Sequence, residues 1–263
     1  MTGLLSTRSK ASTLAALAGL LGSCSVYAPL QPSTPLLHAK GEAEVIGSAY
    51  LSGRLEGSVA YSPLKHVLVR VAGGQRTGGG DSTYFRIRQA EAGVGTYGRL
   101  AEEWLIGASV GYGLGTSGRR FEETRALIFR PDPPVTNEYK ARFEKVYADG
   151  YIAYEGGRTT IGGAYRLSQV RFSTLTNNGV PVPMRRMTRL EPMLFLRFGN
   201  TRSGVPWVQG QLATSISVSS DYLRNRADPQ LNDIKEGRLF TSIGLVLYPH
   251  RFKREPSALQ TGY

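Results

Sequence analysis

The chain has 263 residues, enough for one large domain, with 32 glycines, 14 tyrosines, a single cysteine and a formal charge of +12. One cysteine excludes an intramolecular disulfide. The charge comes with no Lys/Arg run interleaved with aromatics and no nucleic-acid motif, so it points to anionic headgroups such as lipopolysaccharide, not to DNA or RNA.

At the N-terminus, Arg8 and Lys10 precede an apolar, small-residue run over 11–22. About a dozen positions make a signal-peptide core and fall short of the roughly 20 that a membrane-crossing helix takes. Removing residues 1–23 as a signal peptide takes away Arg8 and Lys10 and leaves 12 − 2 = +10. The run ends in Leu21-Gly22-Ser23-Cys24, which resembles the lipobox of bacterial lipoproteins. That resemblance implies a lipid-carrying Cys24 as first residue of the mature chain. Residues 24–41 hold Pro29, Pro32 and Pro35 three apart and read as an extended, lipid-anchored tether outside any packed element. With no acidic cluster after Cys24, the anchor is expected in the periplasmic leaflet of an outer membrane. No later stretch is long and apolar enough for a spanning helix, so any further crossing falls to strands.

About ten strands are expected over 42–252, with eight to twelve as bounds. The first two cover 42–51 and 55–62. The third carries Val67, Val69 and Val71 on one face, and the fourth spans 84–97. The fifth, 104–115, has the clearest period of two. Trp104, Ile106, Ala108, Val110, Tyr112 and Leu114 share one face, and Gly107, Ser109, Gly111, Gly113 and Gly115 share the other. An apolar outer face over a small or polar inner one suits a barrel wall in lipid. A charged loop is expected over 116–142, then strands over 146–154 and 159–170. A loop follows over 171–188, then strands within 190–198 (where Pro192 suggests a bulge or a later start), 207–219 and 239–248. Tyr248 or Phe252 is the candidate closing aromatic, and 253–263 is a tail. Beyond the first hairpin the connections alternate short and long, the pattern of barrels with short periplasmic turns and longer external loops. The fold expected is all-β, an antiparallel up-and-down barrel.

The lipobox, the tether, Lys40-Gly41-Glu42 and Ala60-Tyr61-Ser62-Pro63 together resemble small β-barrel lipoproteins of Gram-negative outer membranes. The resemblance implies an architecture and a location, and carries over no catalytic residue.

If the apolar faces point outward, Arg70, Glu91, Asp149, Arg166, Glu191 and Arg197 point into the barrel. Unpaired, such charges are costly. They form either salt bridges that plug the lumen or the lining of a polar pore opened by the glycine face of the fifth strand. Loop arginines Arg119, Arg120, Arg125, Arg130, Arg185, Arg186, Arg224 and Arg226 are candidate contacts for anionic headgroups, partly offset by Glu122, Glu123 and Asp228. His38, His66 and His250 all fall at the periplasmic end, which argues against Ser–His catalysis at the outer leaflet and gives no metal site. The glycines at 73–74 and 78–80 lack the following Lys-Ser/Thr of a phosphate loop. The function expected is structural, surface-interacting or a minor permeation role, without catalysis, metal or cofactor. The rival is a soluble, lipocalin-like barrel tethered in the periplasm, with Trp104, Ile106, Val110 and Leu114 lining an apolar cavity. A membrane lipid-modifying enzyme stands third.

Overall fold

Ten antiparallel strands, each hydrogen-bonded to its neighbours in sequence, close on themselves through pairing of the first with the last. In this computed structural model the described residues are 25–252, except 81, 124–125, 128–129, 132–134, 200–204 and 222–227; side chains at 123, 126, 127, 130, 131 and 229 are likewise outside the description. Expectations on residues 1–24, Cys24 among them, and on the 253–263 tail lie outside the described residues.

The strands are β1 (Ala43–Tyr50), β2 (Leu55–Tyr61), β3 (Val67–Gly79), β4 (Tyr84–Arg99), β5 (Trp104–Glu123), β6 (Val135–Glu155), β7 (Thr159–Asn177), β8 (Arg186–Phe198), β9 (Val208–Ser219) and β10 (Arg238–Leu247). A short helix, α1 (Pro229–Lys235), lies between β9 and β10, and no described helix is long and apolar enough to cross a membrane.

The period of two fixes which face is which. Trp104, Val110 and Leu114 are 40%, 56% and 59% exposed, so the apolar face of β5 points out. This overturns the inverted, lipocalin-like arrangement in which those residues line a cavity. The outward apolar positions run from Tyr154 to Val146 on β6 and from Ile161 to Leu167 on β7. Above them Arg88, Arg142 and Arg171 are exposed on neighbouring strands and turn the outer wall charged. Eleven residues on β5, nine on β6 and seven on β7, at roughly 3.3 Å each and tilted near 40°, make that band about 18–28 Å tall.

Two expected loops are mostly strand. Residues 116–123 continue β5 and 135–142 begin β6, paired from Thr116↔Arg142 to Glu123↔Val135. Likewise β7 runs on to Asn177, so the hairpin tip shrinks to Asn178 and Gly179, both at positive φ. Charges on the outer face conceal the alternation there, because Tyr139, Ala141 and Phe143 still point inward between Lys140, Arg142 and Glu144. Pro192 makes no bulge. It pairs with Tyr165 of β7, and the ladder to β9 skips Glu191 and Pro192 without changing register. The shift in register falls at Arg142/Phe143 instead. Tyr248 is buried inside the barrel, whereas Phe252 is exposed and stacks edge-on against Trp207 at 5.2 Å.

The glycine face of β5 does not open a channel. The inward side chains of β6 fill it: a β-carbon at Gly107 would meet the Tyr151 ring, at Gly111 the Tyr147 ring, and at Gly115 the Phe143 ring at 2.6 Å. Gly107→Val is therefore expected to destabilise the barrel by about 1–3 kcal/mol through overpacking. Urea unfolding in detergent should show a double variant with Tyr151→Ala costing less than the two single changes added. Additive costs would mean that Gly107 is not there to make room for Tyr151.

Candidate functional site

The stretch expected to lie outside as a tether is extended, as its prolines require, but it runs through the barrel. Val26, Tyr27, Ala28, Leu30, Thr34, Leu36 and Leu37 are all buried. Val26 and Tyr27 pack with Phe85, Phe143, Phe172 and Ile234 in the half nearer the long hairpins. Leu36 sits among Leu105, Tyr151 and Phe195, and Leu37 among Ala60, Leu68 and Tyr97, in the half nearer the short turns. Ser25 reaches α1 on the long-hairpin side, where its Oγ donates to the Ile234 carbonyl at 3.1 Å. At the other end Gly41 N–H donates to the Ser62 carbonyl, in a positive-φ turn that leads into β1.

A buried extended chain exposes peptide groups that must find partners. The inner wall supplies them with side chains. Gln89 donates to Ala28 O (2.7 Å), Arg166 to Leu30 O (3.2 Å), Arg197 to Thr34 O (2.9 Å) and Tyr151 to Pro35 O (2.6 Å). Glu56, Glu44 and Glu42 accept from the N–H groups of Gln31, Leu36 and His38. Pro29, Pro32 and Pro35 have no N–H to satisfy, so they reduce the number of donors the lumen must match.

All six residues expected inside the barrel are there and buried. Five of them fall into two clusters. In the central one, Arg166 bonds Asp149 (2.7 Å) and Glu91 (3.1 Å), Arg70 bonds Glu91 (2.6 Å) and Asp149 (3.2 Å), and Lys145 bonds Glu91 (2.7 Å). Ser109 also donates to Asp149. Lys145 was not among the expected lumen residues; its alternation with the outward Val146 and Glu144 carried the signal. Nearer the short turns, Arg197 makes paired contacts with Glu44 (2.7 and 3.1 Å) and reaches Gln211 and Tyr248. Glu191 takes a hydrogen bond from Ser168 at 3.3 Å and lies within electrostatic reach of Arg166 and Lys145 of the central cluster and of Arg189. Arg189, also missed, donates to the carbonyls of Lys235 and Glu236 and so ties the end of α1 to the wall.

The candidate headgroup arginines divide. Arg185 and Arg186 are exposed, as expected. Arg119 instead points inward over Phe85 at 5.4 Å, because β5 continues through it on the inner parity. Arg120 is half-buried. The side chains of Arg125, Arg130, Arg224 and Arg226 lie outside the described residues. Arg86 and Arg88 on β4, Arg142 on β6 and Arg171 on β7 are exposed on one side of the wall, on segments where strand alternation was hidden by charge. The three histidines lie at the short-turn end on separate partners. His38 contacts Glu155, His66 the Tyr97 carbonyl, and His250 the Ala43 backbone. Among the described residues no group of three His, Cys, Asp or Glu could hold a metal.

No protein-family model matches the chain, and no curated protein matches it. Solved structures with a similar barrel include the outer membrane protease OmpT from Escherichia coli, at 10% identity and a TM-score of 0.45, covering 80% of this chain and 94% of that one. The NanC porin follows at 11% identity and a TM-score of 0.37, covering 78% and 98%. The N-terminal β-barrel domain of Pseudomonas aeruginosa OprF gives 7% and 0.29, covering 80% and 98%. The likeness is one of barrel architecture.

Removing one member of a buried ionic cluster leaves its partners undercompensated, at a cost of about 3–5 kcal/mol. Arg166→Leu should lose stability on that scale and also release Leu30 O. Arg171→Leu, which breaks only the exposed 3.5 Å pair with Glu144, should cost about 1 kcal/mol or less. Equal urea midpoints for the two variants would show that the central cluster does not hold the barrel.

Proposed function

We propose that this protein is an outer-membrane β-barrel lipoprotein that plugs its own lumen with its N-terminal segment and acts in a structural or surface-interaction role, without catalysis. The observation that carries the reading is the largely buried segment 25–37, whose peptide groups are bonded along the lumen by inward side chains. A lumen occupied in this way argues against permeation. The outward apolar band matches a hydrocarbon layer in height, and its lower edge carries aromatic pairs, Trp104 with Tyr154 at 5.3 Å and Trp207 with Phe252.

Short turns on the periplasmic side and long hairpins outside is the usual orientation of such barrels. In that orientation Ser25, the first described residue, is buried against the Ile234 carbonyl of α1 at the end of the lumen nearer the cell exterior. A lipid on Cys24 would then enter the outer leaflet. This reading differs from the periplasmic anchor expected from the lack of an acidic cluster after Cys24. Arg86, Arg88, Arg142 and Arg171, exposed above the apolar band, would pair with lipopolysaccharide phosphates, as would the exposed Arg185 and Arg186 on a neighbouring hairpin.

The test is fractionation of a Cys24→Ala chain exported through a cleavable non-lipoprotein signal, with a second chain carrying an epitope between Cys24 and Ser25. The Cys24→Ala chain should lose incorporated fatty acid yet resist alkaline carbonate and shift its gel mobility on heating. A folded, soluble Cys24→Ala chain would sink the spanning barrel. Antibody should reach the epitope on intact cells. Staining only after permeabilisation would reverse the direction of threading.

A further inference from the structure

The wall is uneven at the long-hairpin end. The β1–β2 hairpin turns at residues 51–54, whereas β3 continues to Gly79 and β10 begins at Arg238. Leu55 is the last β2 partner of β3, at Gln75, and Tyr50 is the last β1 partner of β10, at Ser242. Residues 76–79 and 238–241 therefore stand above a low sill, and a cavity of about 490 Å³ occupies the notch between them.

Four guanidinium groups converge there. Arg76, Arg119 and Arg238 lie over the Phe85 ring at 5.2, 5.4 and 4.6 Å, and Arg54 and Arg238 over Phe240 at 4.7 and 5.9 Å. Arg54 pairs with Glu56 at 2.9 Å, whose carboxylate also accepts from Tyr50 and Gln31, and Arg119 has a further partner of its own. Arg54 is 2% exposed with Nε and Nη1 unpartnered, and Arg238 is 9% exposed with Nη1 unpartnered. The like charges of Arg54, Arg76, Arg119 and Arg238 repel one another across the notch. Aromatic faces offset part of that repulsion but supply no hydrogen-bond acceptor.

We infer that the notch formed by Arg54, Arg76, Arg119 and Arg238 is a binding site for a phosphate group carried on a polar body, such as a sugar or glycerol phosphate. Phosphate oxygens accept paired guanidinium hydrogen bonds, and the cavity leaves room for the carrier beside the anion. The notch opens over the sill at Leu51, which is exposed along with Leu55 at the upper rim of the apolar band. That places a headgroup of the adjoining leaflet within reach. The lipid source rests on the membrane reading above, whereas phosphate recognition does not.

The full chain, refolded in zwitterionic detergent, is titrated calorimetrically with inorganic phosphate and pyrophosphate. It is also reconstituted in phosphatidylcholine vesicles with and without phosphatidic acid, and the lipid retained by the barrel is measured by phosphorus NMR. Wild type should bind, and Arg238→Gln or Arg54→Gln should weaken binding about tenfold or more, while Arg158→Gln, exposed in a short turn at the opposite end, leaves it unchanged. Without ligand, Arg238→Gln should unfold at a higher temperature than wild type, since it removes an uncompensated charge; a purely structural arginine would give the opposite shift. Should either variant fail the heat-shift check for folding, Arg76→Gln takes its place. Binding of phosphate without retention of phosphatidic acid supports the site and assigns it a soluble phosphate ester. No binding of any probe, or unchanged affinity in Arg238→Gln, overturns it, whatever Cys24→Ala does in fractionation.

Discussion

The structure depends on the pairing of a buried extended segment with the side chains of the wall around it. A chain in the middle of a barrel has no neighbouring strand to take its peptide hydrogen bonds, and each unmet one costs about 1–3 kcal/mol. Here the partners are Gln89, Arg166, Arg197, Tyr151, Glu56 and Glu44. Three of these are also members of ionic clusters: Arg166 reaches Leu30 O while holding Asp149 and Glu91, and Arg197 reaches Thr34 O while holding Glu44. Neutralisation of the wall and satisfaction of the segment are thus one network.

Side-chain volume is arranged around the same demand. On β5 the inner face is nearly bare at Gly107, Gly111 and Gly115, and β6 answers with Tyr151, Tyr147 and Phe143. Tyr151 crosses that space to reach Pro35 O, and Tyr147 stacks under Arg166 at 4.3 Å. Small residues on one strand therefore let the next strand's aromatics reach the centre. A barrel of this size can enclose an open lumen. In this one the interior is taken up by the segment and by aromatics leaning across from β6.

The wall was legible in the sequence because alternation survives wherever the outer face is apolar, as from Trp104 to Leu114. It faded where the outer face becomes charged, since Lys140, Arg142 and Glu144 look like loop residues until Tyr139, Ala141 and Phe143 are seen between them. The inward charges were legible for the same reason, by parity with Val69, Val94 and Leu196. The placement of residues 25–40 was not. Spaced prolines dictate an extended backbone in water and inside a barrel alike, and no residue from Ser25 to Leu37 carries the charge that would mark a lumen. Its partners lie on β1, β2, β4, β6, β7 and β8, so the pairing exists only once the wall has closed.

The contacts of this segment differ greatly in sequence separation, and that difference ranks them. Leu36 and His38 bond Glu44 and Glu42, eight and four residues away, and Gln31 bonds Glu56, 25 residues away. Its bonds to Arg166 and Arg197 span 136 and 163 residues. Loop-closure entropy favours the near set, and Gly41 supplies the turn that lays the segment back along β1. The β1–β2 hairpin with residues 25–40 folded onto its inner face is therefore the local unit of this chain. The later strands complete it: β6, β7 and β8 bring Tyr151, Arg166 and Arg197 to carbonyls already facing inward. The pairing of β1 with β10 then seals the wall around a segment in place. No free end has to be drawn through a lumen filled by Tyr147 and Arg166.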